Sequence, residues 1–167
     1  MRAVNETDLP LLYTLARSGV HSYFAIYETT GRFSLSEMIS DQKMPGREEL
    51  IALADDGAPL FLARTVSARP DDKVMAFQWR VLPDGVRQPE LVRKAFRHYI
   101  SAIFEKFNFI RMHTEILPWE NEEKNLLKSF GFVFEGAFRD HLFLSGRYVS
   151  VEVWALLKEE YNPVFKE

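Results

Sequence analysis

Lys73-Val-Met-Ala-Phe-Gln-Trp-Arg-Val-Leu82 followed by Pro83-Asp-Gly-Val-Arg-Gln88 and then Pro89 is the stretch on which the fold turns. The first ten residues are apolar and β-prone, so they predict a strand. The next six are turn chemistry. From Pro89 the apolar residues recur at Leu91, Val92, Ala95, Phe96, Tyr99, Ile100, Ile103 and Phe107, the i, i+3, i+4 spacing of a helix with one buried face. A strand delivered into a helix through a short loop aims backbone N–H groups at the helix N-terminus, which makes the junction a candidate anion site.

Outward from this unit, Glu48–Ala54 and Pro59–Val66 read as strands around Asp55-Asp-Gly57, a hairpin turn. Ser67–Asp72 reads as a polar loop. Ile110–Leu117 alternates, with Met112, Thr114 and Ile116 on one face and Arg111, His113 and Glu115 on the other. Asn121–Phe130 predicts a short helix closed by Gly131. Phe132–Leu144 and Tyr148–Leu157 read as long strands joined at Ser145-Gly146, and Lys158–Glu167 as a polar tail. At the other end, Met1–Val4 reads as a short strand and Asn5-Glu-Thr-Asp8 as caps, with Thr7 or Asp8 as acceptor, for a helix ending near Gly19. Ser34-Leu-Ser-Glu37 has capping-box spacing for a helix to about Gln42, and Val20–Arg32 is aromatic and irregular. The order predicts one α/β domain over residues 1–167 with a mixed central sheet.

Composition narrows the function classes. The chain has 167 residues, 47% hydrophobic and 14% aromatic, with a formal charge of −3, a pI near 5.9 and no Cys. Its basic residues form no stripe, which argues against nucleic acid as partner. Without Cys there is neither disulfide nor thiolate chemistry. The four His show no metal-ligand spacing. No apolar run approaches a membrane span, and the N-terminus lacks a signal-peptide core, so a cytoplasmic protein is the default expectation.

Leu127-Lys-Ser-Phe-Gly-Phe132, Glu135-Gly-Ala-Phe-Arg-Asp-His141, Gly146-Arg-Tyr148 and Trp154-Ala-Leu-Leu-Lys-Glu-Glu-Tyr161 together resemble the Gcn5-related N-acetyltransferase superfamily. Within it they are similar to the group acting on ribosomal-protein N-termini and comparable amines. Arg2-Ala-Val-Asn-Glu-Thr-Asp-Leu9 looks like the family's first strand and helix. The resemblance implies six or seven strands and about four helices, splayed between the fourth and fifth strands. It also implies an acyl-CoA donor, acetyl-CoA or another, and an amine-bearing acceptor, either a small molecule or a protein N-terminus.

In that family the strand–helix junction binds the CoA pyrophosphate through Arg/Gln-x-x-Gly-x-Gly/Ala. The best register puts Arg87 at the first position, with Gln88, Glu90 and Val92 at the places of the glycines. Val81, Leu82 and Leu91 complete the implied cofactor set, and Arg93 is a further charge. Each departure has a physical consequence: Pro89 lacks an N–H, Val92 is branched where close approach needs no side chain, and Glu90 is anionic in the first turn. Read as helix design, Pro and Glu are simply favourable starts. The family's usual acid, a Tyr four residues before the Gly, is here Leu127, and the Asn eleven before it is Glu120, with Asn121 one place off.

A transferase needs a base, and Glu115 is the candidate, with His113 on its face; as a residue type, an exposed strand carboxylate is the more frequent finding. Phe77 and Trp79 would line a substrate tunnel or pack in the core. Trp119 would mark recognition near the cleft, and His141 a surface position. Two readings stand: an N-acyltransferase working by direct attack, and a module of the same fold that has lost CoA. The second needs no cofactor and acts through protein contacts or a homodimer, using the aromatic surface of Val20–Phe33 or Trp119.

Overall fold

A computed structural model of the chain describes residues 1–17, 49–144 and 146–161. Its strands are β1 (Arg2–Ala3), β2 (Glu49–Leu53), β3 (Pro59–Arg69), β4 (Val74–Val81), β5 (Arg111–Ile116), β6 (Val133–Leu144) and β7 (Arg147–Leu157). Its helices are α1 (Leu9–Arg17), a single turn α2 (Pro83–Val86), α3 (Pro89–Ser101) and α4 (Asn121–Ser129). One seven-stranded sheet runs in the order β1-β2-β3-β4-β5-β7-β6. Every neighbouring pair is antiparallel except β4 and β5. The mixed sheet expected from the sequence is present, and so is the splay. β4 and β5 pair only at Val74↔Arg111, Met75↔Met112 and Ala76↔His113, after which the ladder stops.

Most of the core lies between the sheet and α3. Phe61, Phe77, Trp79, Met112 and Trp154 project from the strands, and Phe96, Tyr99, Ile100 and Phe104 come down from the helix side. Phe96 is the hub. Its ring lies 5.0 Å from Trp79, 5.1 Å from Phe130 and 5.5 Å from Phe61. A smaller cluster of Leu12, Ile51, Leu62 and Leu82 fills the opposite face under α1. That face also holds a buried polar group: Arg64, 1% exposed, donates to Gln78 Oε1 from Nε at 2.8 Å and stands 3.8 Å from Glu49.

The structure departs from the sequence expectations at several places. Asn5 caps the N-terminal turn, accepting from Thr7 N at 2.9 Å, while Asp8 returns a carboxylate to Asn5 N and also holds Arg2 at 2.7 Å. Ser67–Arg69 is not loop but the end of β3, because pairing with β4 continues to Arg69↔Val74 past an irregularity at Thr65/Ser67. The helix expected through Phe107 changes period: Ala102–Lys106 is a π-helical turn, and Phe107 N donates to Ala102 O at 3.3 Å. The wider turn keeps Ile103 and Phe104 inward and leaves Phe107 exposed. Leu91, expected on the buried face, is also exposed. Tyr161 does not belong to a polar tail; its ring packs 5.6 Å from Phe104 and its hydroxyl meets Ser101 Oγ at 2.9 Å. The helix expected over Ser34–Gln42 and the aromatic stretch Val20–Phe33 lie outside the described residues.

Candidate active site

Past the end of β4, a cavity of about 310 Å³ opens, lined by Val81, Gly85 and Val86 of α2, Pro89, Val92 and Arg93 of α3, and Glu122, Glu123, Asn125 and Leu126 of α4. It lies beyond the C-terminal end of the sheet's parallel pair, where open α/β sheets place their ligand crevices. Its walls are aliphatic and its polar groups sit on α3 and α4. Arg93 is steadied by donating to Ser129 Oγ at 3.0 Å and by the Phe130 ring, 5.5 Å from its guanidinium carbon.

Of the residues the sequence suggested for a cofactor, Val81, Val92 and Arg93 line this cavity. Leu82 is fully buried on the α1 side. Arg87 is exposed and paired with Asp84 one turn back. Glu90 and Leu91 are exposed on the first turn of α3, and Gln88 is its N-cap residue without a side-chain cap bond.

The loop is also built differently from the turn expected over Pro83–Gln88. Pro83–Val86 forms a helical turn, and its N–H groups close on the loop itself. Val86 N donates to Leu82 O at 3.0 Å, Gln88 N to Gly85 O at 2.9 Å, and Leu91 and Val92 N to Gln88 O at 3.1 and 3.2 Å. Pro89 has no N–H. Gly85 is demanded by sterics: a Cβ there would lie 2.1 Å from Leu60 O and 2.9 Å from Val92 Cγ2. The glycine lets the loop lie directly on β3.

Phe77 and Trp79 are not among the described residues that line this cavity. They are 1% and 5% exposed, in the aromatic core against Phe96. Their rings pack with Phe96, as the core reading of these residues expects. Trp119 is 42% exposed in the turn after β5 and also stands apart from the cavity. Leu127 is fully buried in the main core, so no proton donor stands at that position. His141 is exposed, its ring 5.1 Å from Phe138.

Glu115 and His113 behave as the alternation of β5 required. Met112, Thr114 and Ile116 are buried, and Arg111, His113 and Glu115 face the other way. Glu115 Oε2 and His113 Nδ1 are both buried and without a hydrogen-bond partner among the described residues. An unsatisfied buried polar atom costs roughly 1–3 kcal/mol, so two on one strand face call for an explanation. His113 forms the last rung with β4, and Glu115 lies two residues beyond, beside the gap.

The surroundings fix the charge state of His113. Burial lowers its pKa first, and the neighbouring Arg111 lowers it further, against the opposing pull of Glu115 and Glu135. Arg111 is itself held by Glu135 through two bonds, the Nη1 one at 2.6 Å, and that bond keeps the Glu135 carboxyl below its usual range. His113 is therefore neutral at neutral pH and able to accept a proton. Since its folded pKa lies below the ordinary 6.5, the unfolded chain binds the proton first as pH falls. Stability should decline with acidification from about 6.5 down to the folded value. Thermal melts of the protein and of His113→Gln between about pH 7 and 5 should show the shallower decline in the variant; equal slopes would reject this assignment.

No family model matches the sequence, and no curated protein does. The fold, however, is shared with solved structures. It is the fold of the Gcn5-related N-acetyltransferases. One such neighbour is the spermidine N-acetyltransferase from Vibrio cholerae in complex with CoA and spermine, with a TM-score of 0.82 at 17% identity, covering 96% of this chain and 95% of that one. A single-residue variant of the same enzyme superposes with a TM-score of 0.80 at 16% identity over the same shares. At these identities the likeness is one of fold. Among the described residues no group of three His, Asp or Glu is placed to hold a metal ion, and no helix is long and apolar enough to cross a membrane.

Proposed function

We propose that this protein is an N-acyltransferase that moves an acyl group from a thioester donor, acetyl-CoA or a related acyl thioester, to a primary amine by direct attack. The observation that carries the reading is the parted β4–β5 pair, with a cavity on its helix side and two buried, unpartnered acceptors, Glu115 Oε2 and His113 Nδ1, on the other face. A thioester arm bound in the cavity would extend past Val81 along β4 toward the gap between the strands. There its carbonyl would be presented to an amine coming from the Glu115 face. The amine nitrogen attacks the carbonyl carbon, the C–N bond forms as the C–S bond breaks, and Glu115 takes the amine proton, directly or through water. With Leu127 in place of a hydroxyl, the sulfur leaves as thiolate, which a thiol pKa near 8.5 makes tolerable.

The neighbours' activity on spermidine, and the amine-binding chemistry of a buried carboxylate, support a small amine-bearing acceptor; a protein N-terminus, a protein partner and a homodimer are finer alternatives of the same reading. The absence of a membrane-spanning helix among the described residues agrees with a cytoplasmic location. The closed N–H groups of the Leu82–Val92 loop favour the second reading, a module that has lost CoA, in one respect only: they weaken the grip on phosphate. Turnover separates the two. Release of free thiol from acetyl-CoA or acetyl-pantetheine should depend on an added primary amine, spermidine and small monoamines included, and mass spectrometry should find the acetylated amine. No amine-dependent release from either donor would reject the enzyme reading.

A further inference from the structure

In acyl-CoA enzymes of this fold the donor has two parts that bind differently, a neutral pantetheine arm and an anionic nucleotide. The residues here fit one and not the other. The arm is matched by the cavity of about 310 Å³, whose Val81, Val86, Val92 and Leu126 walls suit methylenes, with Asn125 available to its amides. The diphosphate is not matched. Four N–H groups of the loop, those of Val86, Gln88, Leu91 and Val92, already donate within it. Arg87, the cation of the register, is engaged by Asp84. Glu122 and Glu123 line the same cavity, Glu90 stands on the adjoining turn, and no ion pair neutralises them among the described residues. Among the described residues Arg93 is the single cation lining the cavity, and it is committed to Ser129 and the Phe130 ring.

We infer that the cavity recognises the acyl-pantetheine arm alone, and that the nucleotide diphosphate of an acyl-CoA adds nothing to binding. The donor class is then an acyl thioester of pantetheine, with the nucleotide carried in solvent. This rests on the acyltransferase reading above. Physically, a diphosphate brought to a rim of carboxylates finds the N–H groups of Val86, Gln88, Leu91 and Val92 already spent and meets like charge, which also makes acyl-CoA binding weaker at low salt rather than stronger.

Calorimetric titration of the full chain with acetyl-CoA and with acetyl-pantetheine tests it. The two dissociation constants should agree within about threefold, and lowering salt from about 0.15 M to 0.02 M should weaken acetyl-CoA alone. The double variant Glu122→Gln/Glu123→Gln should tighten acetyl-CoA at least threefold and leave acetyl-pantetheine unchanged. Acetyl-CoA binding tenfold or more tightly than acetyl-pantetheine would overturn the inference while leaving the enzyme reading intact. Binding of neither at millimolar concentration would overturn both. Leu126→Trp, which fills the cavity, should abolish binding of both donors; a melt shows whether it is folded, and if it is not, the wild-type ratio still decides.

Discussion

Replacing Phe96 by Ala is expected to remove about 3–5 kcal/mol of stability, the usual range for emptying a fully buried aromatic site. Phe96 has no exposed surface and sits among five aromatic partners: Phe61, Phe77, Trp79, Phe130 and Phe132. Those partners come from β3, β4 and the segment after α4, so the ring ties α3 to both sides of the splay. Such pairs add roughly 0.5–1.5 kcal/mol each beyond area burial. Three of the neighbouring rings, Phe61, Phe77 and Trp79, are fixed on strands, so the site cannot collapse cheaply around a missing side chain, which places the loss toward the upper end of that range. A small domain is stable by only about 5–15 kcal/mol in total, so the variant would stand near the folding threshold. Urea unfolding monitored by tryptophan fluorescence measures it, since Trp79 stacks directly on the ring. Phe96→Leu keeps much of the volume and should lose distinctly less. A loss below about 1 kcal/mol for Phe96→Ala would mean that α3 is held elsewhere.

The alternation in Arg111–Ile116 correctly separated a core face from a polar face because a strand's period is two whatever surrounds it. Local chemistry likewise gave the Asp55-Asp-Gly57 hairpin and the β4–α3 junction. What the sequence could not give came from tertiary contact. Nothing local says that α4 comes to rest beside the start of α3, so Glu122, Glu123, Asn125 and Leu126 were missed as cavity lining, although their helical spacing was readable. Gly85 read as a turn glycine; its reason is the carbonyl of Leu60 in another strand. Phe77 and Trp79 illustrate the converse. A strand aromatic beside a suspected cleft has the same local signature whether it faces a tunnel or a helix, and here it faces Phe96. The π-helical turn at Ala102–Lys106 leaves no local mark because its apolar residues satisfy a 3.6-residue period nearly as well. The departures at Glu90 and Val92, by contrast, were visible as chemistry in the sequence, and the inward-turned N–H groups of the loop agree with them.

Glu115→Gln is expected to reduce the amine-acylation rate by about 10²–10⁴-fold, the worth of a positioned general base. The substitution keeps shape and burial while removing the ability to accept a proton. Glu115 Oε2 has no hydrogen-bond partner among the described residues, so no described contact at that atom is broken, and the melting temperature should move little. That separation makes the variant informative: a polar atom held for stability would have a partner to lose. His113→Gln serves as the comparison. Nδ1 of His113 is buried and unpartnered two residues away on the same face, and the ring is neutral near pH 7. If Glu115 takes the proton and His113 positions the amine or its water, His113→Gln raises KM for the amine while kcat falls only modestly. If the histidine is the base, the order reverses, and the rate in Glu115→Gln keeps a titration that His113→Gln lacks. Rates measured under saturating thioester across about pH 5 to 9 distinguish these outcomes. A change below threefold in both variants, with the fold intact, would remove this strand face from the chemistry.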